Sequence, residues 1–320
     1  KIPIKNRATL INMSKSIMKT LSILLVLSII SSCVKNQEVL PDKSEGILII
    51  NSDKSVKKYL KIQQEFETEL SEVKITEINL AESSLTDNLS NPLLVYAIGS
   101  KAYNQASTTF KNKPLIFSSM INWRRFDINS NTYGVALELP AEMQLFMYSY
   151  LFPDIHTLGV LYSENHNSQW FELAVSQAEE VGLSLHGQAV SDTSKVSQEL
   201  KKLLPKVDAL WLISDPTILH NSNQVQQIFD ITAAVKKPIF AYNTLFTKYG
   251  AILTIAADLP TMGRQAAYLA QSVLEQQVDT TEEKIQLPAG SNVTLNLKKI
   301  REYDININHS ALSSVENIIQ

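Results

Sequence analysis

Cysteine is nearly absent: Cys33 is the only one in 320 residues. No disulfide can form within the chain, and no thiolate metal cluster can be built. Glycine is sparse too, at nine residues, and neither a phosphate-cradling loop nor a dinucleotide fingerprint is present. The five histidines, His156, His166, His186, His220 and His309, are scattered without metal-ligand spacing. No G-x-S-x-G elbow occurs. A formal net charge of -3 supplies no broad basic field, which argues against nucleic acid as a partner.

What is present is an ordinary globular balance, 44% hydrophobic and 19% charged, in a chain long enough for two modest cores. Residues 1–12 read as leader or as a mis-assigned start. Met13 opens a short basic end carrying Lys15 and Lys19, and Thr20 to Ile30 is almost unbroken apolar sequence. About a dozen residues at roughly 1.5 Å each cannot cross a hydrocarbon core of roughly 30 Å. The pattern fits a secretory signal peptide.

Ile30-Ser31-Ser32-Cys33 resembles the lipobox of bacterial lipoproteins. The resemblance implies cleavage before Cys33 and acylation there, with several acyl chains giving stable anchoring. An uncleaved hydrophobic anchor with an incidental cysteine is the alternative. Residues 33–45 are polar, contain Pro41 and read as a tether. The expected location is the cell envelope, lipid-anchored to a membrane and facing the periplasm or the outside.

From Gly46 onward, short apolar runs alternate with helical periods. Strands are expected at 46–51, 74–80, 92–99, 113–119 and 132–137, then at 157–162, 183–190, 209–214, 238–243 and 251–256. Helices are expected at 56–70, after Ser100 as N-cap, and at 168–181, 196–204, 225–235 and 262–274. Such alternation calls for parallel sheets covered by helices on both faces. About ten strands in two runs point to an α/β protein with two doubly wound parallel-sheet lobes.

An ordered set of strings then resembles the ABC-transporter substrate-binding lipoproteins with a type I periplasmic-binding fold. Leu151-Phe152-Pro153 precedes Leu158-Gly159-Val160-Leu161-Tyr162, and Val207-Asp208-Ala209-Leu210 leads to Ser214-Asp215. Lys237-Pro238-Ile239-Phe240-Ala241, Gly250-Ala251, Asp258 with Gly263-Arg264-Gln265-Ala266-Ala267, and Asn296-Leu297-Lys298-Lys299-Ile300 follow. Ile98-Gly99-Ser100-Lys101-Ala102, Pro114-Leu115-Ile116-Phe117 and Tyr133-Gly134-Val135 match more weakly. The loop Met120–Asn131 departs from the family's aspartate-proline turn by being aromatic and basic.

The resemblance implies three crossings between lobes, placed near Glu138, Asn243 and Thr280. The expected division is leader and signal at 1–32, tether at 33–45, lobe one at 46–138 plus 244–280, and lobe two at 139–243 plus 281–312. Ligand is expected outside the carboxyl ends of the strands, where loops and helix N-termini converge. The candidates are Asn51, Ser52, Gly99, Ser100, Ser118 and Ser119 in the first lobe. In the second they are Tyr162, Ser163, Asn165, Asn167, Ser214, Asp215, Tyr242 and Asn243. Their hydroxyls and amides suit a small polar ligand such as an amino acid. Asp215 is assigned the ligand ammonium, with Ser100 on the opposite wall. The same residue types also serve turns and caps.

Trp123, Arg124 and Arg125 are read either as an aromatic and cationic wall over the ligand or, preferably, as a solvated loop near the hinge. Trp211 is expected in the core, and Trp170 in either setting. The expectation is a solute-binding protein and not an enzyme, with no cofactor and no metal. Its partners would be a small-molecule ligand, an ABC permease and, through the anchor, a membrane. A ligand-sensing lipoprotein acting on a membrane signalling partner and a carboxylate-based hydrolase remain alternatives.

Overall fold

Five consecutive buried residues, Ile47–Asn51, form the first strand, and they send alternate side chains to opposite faces of their sheet. Ile47 and Ile49 join one core with Ile62 and Phe66, while Leu48 and Ile50 join another with Ala102 and Tyr103. A strand buried on both faces needs helices above and below it, so the local sequence already dictates the layering. Each such aliphatic side chain stabilises the fold by about 1.5–3 kcal/mol relative to exposure.

The computed structural model describes residues 46–85, 91–277 and 283–320. The signal peptide, Cys33 and the tether lie outside the described residues, as does Thr280 itself. Among the described residues, no helix is long and apolar enough to cross a membrane.

The first sheet contains β1 (Ile47–Asn51), β2 (Ile75–Asn79), β3 (Leu94–Ile98), β4 (Leu115–Ser118), β5 (Thr132–Val135) and β11 (Ile285–Gln286). Its spatial order is β11-β5-β4-β3-β1-β2, and every pairing is parallel. The second sheet contains β6 (Thr157–Ser163), β7 (Ser184–Val190), β8 (Ala209–Leu212), β9 (Ile239–Ala241) and β10 (Leu253–Ala257). It continues with β12 (Ser291–Asn296) and β13 (Asn317–Ile319), in the order β13-β12-β10-β9-β8-β6-β7. Here β12 runs antiparallel to β10, whereas the other pairings are parallel. Two doubly wound lobes therefore form, as the alternation of strands and helices implied.

Eight α-helices occur among the described residues: α1 (Lys57–Glu69), α2 (Ser100–Thr109), α3 (Ala141–Leu151), α4 (Glu164–Glu180), α5 (Val196–Leu203), α6 (Ser222–Ala234), α7 (Leu259–Leu274) and α8 (Leu297–Tyr303). Helix α7 packs on α1 in lobe one so closely that a Cβ at Gly263 would lie 2.5 Å from the Ile62 carbonyl oxygen.

Two expected crossings need correction. Strand β10 pairs with β9, so residues 244–257 belong to the second sheet and the chain returns to lobe one at Asp258, not at Asn243. Strand β11 pairs with β5 in the first sheet, so the last crossing falls between Gln286 and Ser291, beyond residue 280. Asp258 ties these two crossings together. Its carboxylate accepts the Thr261 amide at 2.9 Å as the cap of α7 and the Asn292 amide at 2.8 Å, while its own N–H donates to the Gly290 carbonyl. Burial alone would raise its carboxyl, but the bonds from Thr261 and Asn292, with Arg264 nearby, hold it below the usual range.

Candidate ligand-binding cleft

The residues between the lobes are built around the first crossing. Chain leaving β5 runs Ala136-Leu137-Glu138-Leu139 before α3, and Glu138 is the one ionisable residue in this apolar stretch. One of its carboxylate oxygens accepts the Asn122 backbone N–H at 2.8 Å. The other is out of solvent contact and has no hydrogen-bond partner. Burial pushes this carboxyl above its ordinary range, partly offset by Arg124.

Asn122 reaches Glu138 because the chain after β4 bends twice. Ser119 and Asn122 both take left-handed backbone conformations, with φ of 56° and 47°. Such conformations are tolerated by asparagine but uncommon elsewhere, and they gather at functional sites. Asn122 also spans the cleft: its side-chain amide donates to Asn167 Oδ1 of α4 at 3.2 Å. The amide of Asn167 donates in turn to Asp215 Oδ2 at 2.6 Å.

Around Glu138 a cavity is lined by Asn122 and Arg124 from lobe one and by Asn167, Trp170, Trp211, Ser214 and Tyr242 from lobe two. Trp170 and Trp211 meet edge to face, with centroids 5.3 Å apart. The Ser214 hydroxyl lies beside both Glu138 and Tyr242 but makes no hydrogen bond of ordinary geometry. Burial pushes the Tyr242 phenol up to about 12, with Ser214 opposing. Four buried polar atoms without partners, Asn122 Oδ1, Glu138 Oε2, Trp211 Nε1 and Ser214 Oγ, belong to residues of this one cavity. Unpaired buried polar groups are costly, and their concentration in one place calls for a function. The space itself is narrow, about 30 Å³, room for about two waters.

Residues 53–319 match the family described as "ABC transporter substrate binding protein". The chain belongs to that family. Its task is to bind a substrate for an ABC transporter, and its members are binding proteins and not enzymes. Among similar proteins, the chain is 23% identical to a tyrosine-binding protein of Clostridioides difficile (strain R20291) over 244 residues, covering 73% of this chain and 69% of that one. Its fold is similar to an ABC domain in complex with L-Trp from Streptococcus pneumonia, with a TM-score of 0.61, 22% identity and coverage of 85% and 100% of the two chains. A ligand-free, open substrate-binding protein with adhesive properties from Clostridium difficile has a TM-score of 0.60 at 15% identity, covering 85% of this chain and 97% of that one.

Of the residues expected in the cleft, the substrate-binding fold brings Asn167, Ser214 and Tyr242 to the cavity. Ser163 and Asp215 are not part of its lining, although Asp215 is bonded to Asn167, which is. The fully buried Asp215 carboxylate already accepts the N–H groups of Ser163, Thr217 and Ile218 together with the Asn167 amide. With its acceptor positions filled, Asp215 organises the loop after β8 and leaves no face for a ligand ammonium.

The first-lobe candidates other than Ser119 serve the fold. Asn51 bonds Gln63 and caps the turn at Asp53, and Ser118 shares a 2.6 Å hydrogen bond with Tyr96. Gly99, not Ser100, is the N-cap of α2, with φ of 88° and its missing Cβ position only 2.6 Å from Ser52 Oγ. That Ser52 hydroxyl accepts the Ala102 N–H, a cap supplied from fifty residues upstream. Ser100 accepts the Ile121 N–H, and Ser119 keeps an unpaired hydroxyl outside the cavity lining. In lobe two, Tyr162 stacks on Phe171 at 4.6 Å, Asn165 is exposed, and Asn243 caps the short helical turn at 244–249.

The basic loop divides. Arg124 lines the cavity and lies 4.9 Å over the Trp123 ring, while Arg125 turns away onto Phe126. Trp211 is both core and cavity wall: it is 1% exposed, yet its indole N–H has no partner.

Proposed function

We propose that this protein is a lipid-anchored, extracytoplasmic solute-binding protein that captures an aromatic amino acid between its lobes and delivers it to an ABC importer. The observation that carries this reading is the cavity at the first crossing, where Trp170, Trp211 and Tyr242 stand beside unpaired polar atoms of Asn122, Glu138 and Ser214. Flat rings accommodate another ring by offset stacking or edge contact, and the polar atoms fix its orientation. The likeness to a tyrosine-binding protein and to a domain in complex with L-Trp supports the same ligand class.

The narrowness of the cavity means that ligand enters when the lobes part, and closure then desolvates it. Acylation at Cys33, supported by the lipobox-like Ile30-Ser31-Ser32-Cys33, would hold the protein at the membrane where a permease receives the ligand. A thermal-shift screen of the purified protein against the twenty amino acids tests the ligand class. L-tryptophan or L-tyrosine at about a hundred times Kd adds about 2.7 kcal/mol of stability and raises Tm. A rise with aliphatic or acidic amino acids alone would overturn the aromatic reading.

A further inference from the structure

We infer that the cavity is a zwitterion site, in which Glu138 receives the ligand ammonium and Arg124 receives its carboxylate. The inference deepens the reading above and rests on it for the aromatic side chain only. Opposite charges from Glu138 and Arg124 line one cavity, yet no ion pair joins them. Elsewhere, Lys54 with Glu77 and Arg264 with Glu65 close at 2.7 and 2.8 Å. Two opposite charges that are neighbours but unpaired are complementary to a molecule carrying both signs.

The geometry also fixes which oxygen does the work. The oxygen that accepts the Asn122 N–H is anchored, which leaves Oε2 as the free acceptor, out of solvent and without a partner. An ammonium placed there satisfies an oxygen that nothing in the protein satisfies. Ser214 Oγ stands close by as a second acceptor for the same ammonium. The groups facing Glu138 are Arg124, Asn122, Ser214 and Tyr242, so the cation of Arg124 is the single opposing charge. Burial holds the Glu138 carboxyl above its ordinary range, which is the direction expected of a buried acid whose cationic partner is the ligand. Arg124 in turn offers a forked donor to a carboxylate, a fit that a lysine would not give.

The test removes each pole from the ligand and from the protein. Full-length protein is titrated by calorimetry with L-tryptophan, with tryptamine, which lacks the carboxylate, with indole-3-propionate, which lacks the ammonium, and with L-leucine. Wild type is expected to bind each one-pole indole at least tenfold more weakly than L-tryptophan. Glu138→Gln should no longer distinguish L-tryptophan from indole-3-propionate, and Arg124→Met should no longer distinguish it from tryptamine. Arg125→Met, whose side chain lies on Phe126, should bind like wild type.

Equal wild-type affinity for the one-pole indoles, or discrimination that survives in both variants, overturns the inference and leaves the aromatic reading standing. Binding of L-leucine without L-tryptophan overturns the aromatic reading, and 3-methylbutylamine and 4-methylpentanoate then replace the one-pole indoles, with equal affinity for them overturning the two poles. Failure of wild type to bind either amino acid overturns both. The ligand-side comparison uses wild type alone, so it decides the matter even where a variant fails to fold.

Discussion

Asn122 and Asn167 join the two lobes directly, the amide of one donating to the carbonyl oxygen of the other at 3.2 Å across the cleft. The bond is part of a chain that runs from Glu138 through Asn122 and Asn167 to Asp215. Hinge residue, lobe one, helix α4 and the loop after β8 are thereby linked by hydrogen bonds over the cavity. A ligand enclosed by the lobes would be released only as this link opened, which makes Asn122 the residue to test.

Asn122→Ala removes that link without touching the aromatic wall. The expected cost is about 1 kcal/mol in binding, seen as a several-fold faster dissociation with little change in association rate. Stopped-flow fluorescence, using the tryptophans of the cavity as reporters, separates the two rates. A change confined to association would show that the bond does not hold the closed form.

Asp215→Ala should act on the fold before it acts on the ligand. Its carboxylate holds three backbone N–H groups and one amide, so truncation leaves buried donors unpaired at about 1–3 kcal/mol each. Thermal unfolding of the ligand-free protein should show a clear drop in Tm. An unchanged Tm with lost affinity would return Asp215 to the role of ligand contact.

Glu138→Gln should do the reverse. A buried, half-paired carboxylate whose burial raises its pKa binds its proton more tightly in the folded state than in the unfolded one. Folding stability therefore falls as pH rises from the ordinary carboxylate value through the raised one, and the amide escapes that loss. The ligand-free variant should melt higher than wild type at neutral pH, and the difference should vanish below the ordinary carboxylate range. Binding runs the other way: an ammonium favours the ionised carboxylate, so affinity for wild type rises with pH through the same window and binding releases protons. Titration in two buffers of different ionisation enthalpy measures that release.

Cys33→Ser should abolish metabolic labelling with a palmitate analogue and release the protein from membranes. Continued labelling of the variant would exclude Cys33 as the acylated residue.

The layering was legible because strands such as Ile47–Asn51 open with four consecutive apolar residues, the mark of a strand buried on both faces. Helix α3 was missed because apolar residues surround it: Phe146 and Tyr150 remain exposed while Leu145 and Tyr148 are buried, which erases the helical period. The second crossing lies beyond Asn243, where the resemblance put it, because the helical turn at 244–249 and β10 stay with the second sheet.

At the cleft, serines and asparagines at strand ends are the residue types that suit a polar ligand, yet Asn51, Ser118 and Asn243 spend their polar atoms on the fold. Glu138 gave a fainter signal, a lone acid inside Val135-Ala136-Leu137-Glu138-Leu139. Its importance comes from Asn122, sixteen positions away, and from a backbone bend that no local pattern announces.

Native mass spectrometry of the purified full-length protein, mixed with equimolar amounts of the twenty amino acids, tests the central claim most directly. A single one-to-one adduct with the mass of tryptophan or tyrosine, released unchanged on unfolding, is the predicted result. Protein that stays free of adduct, or that selects an amino acid without an aromatic ring, would contradict it.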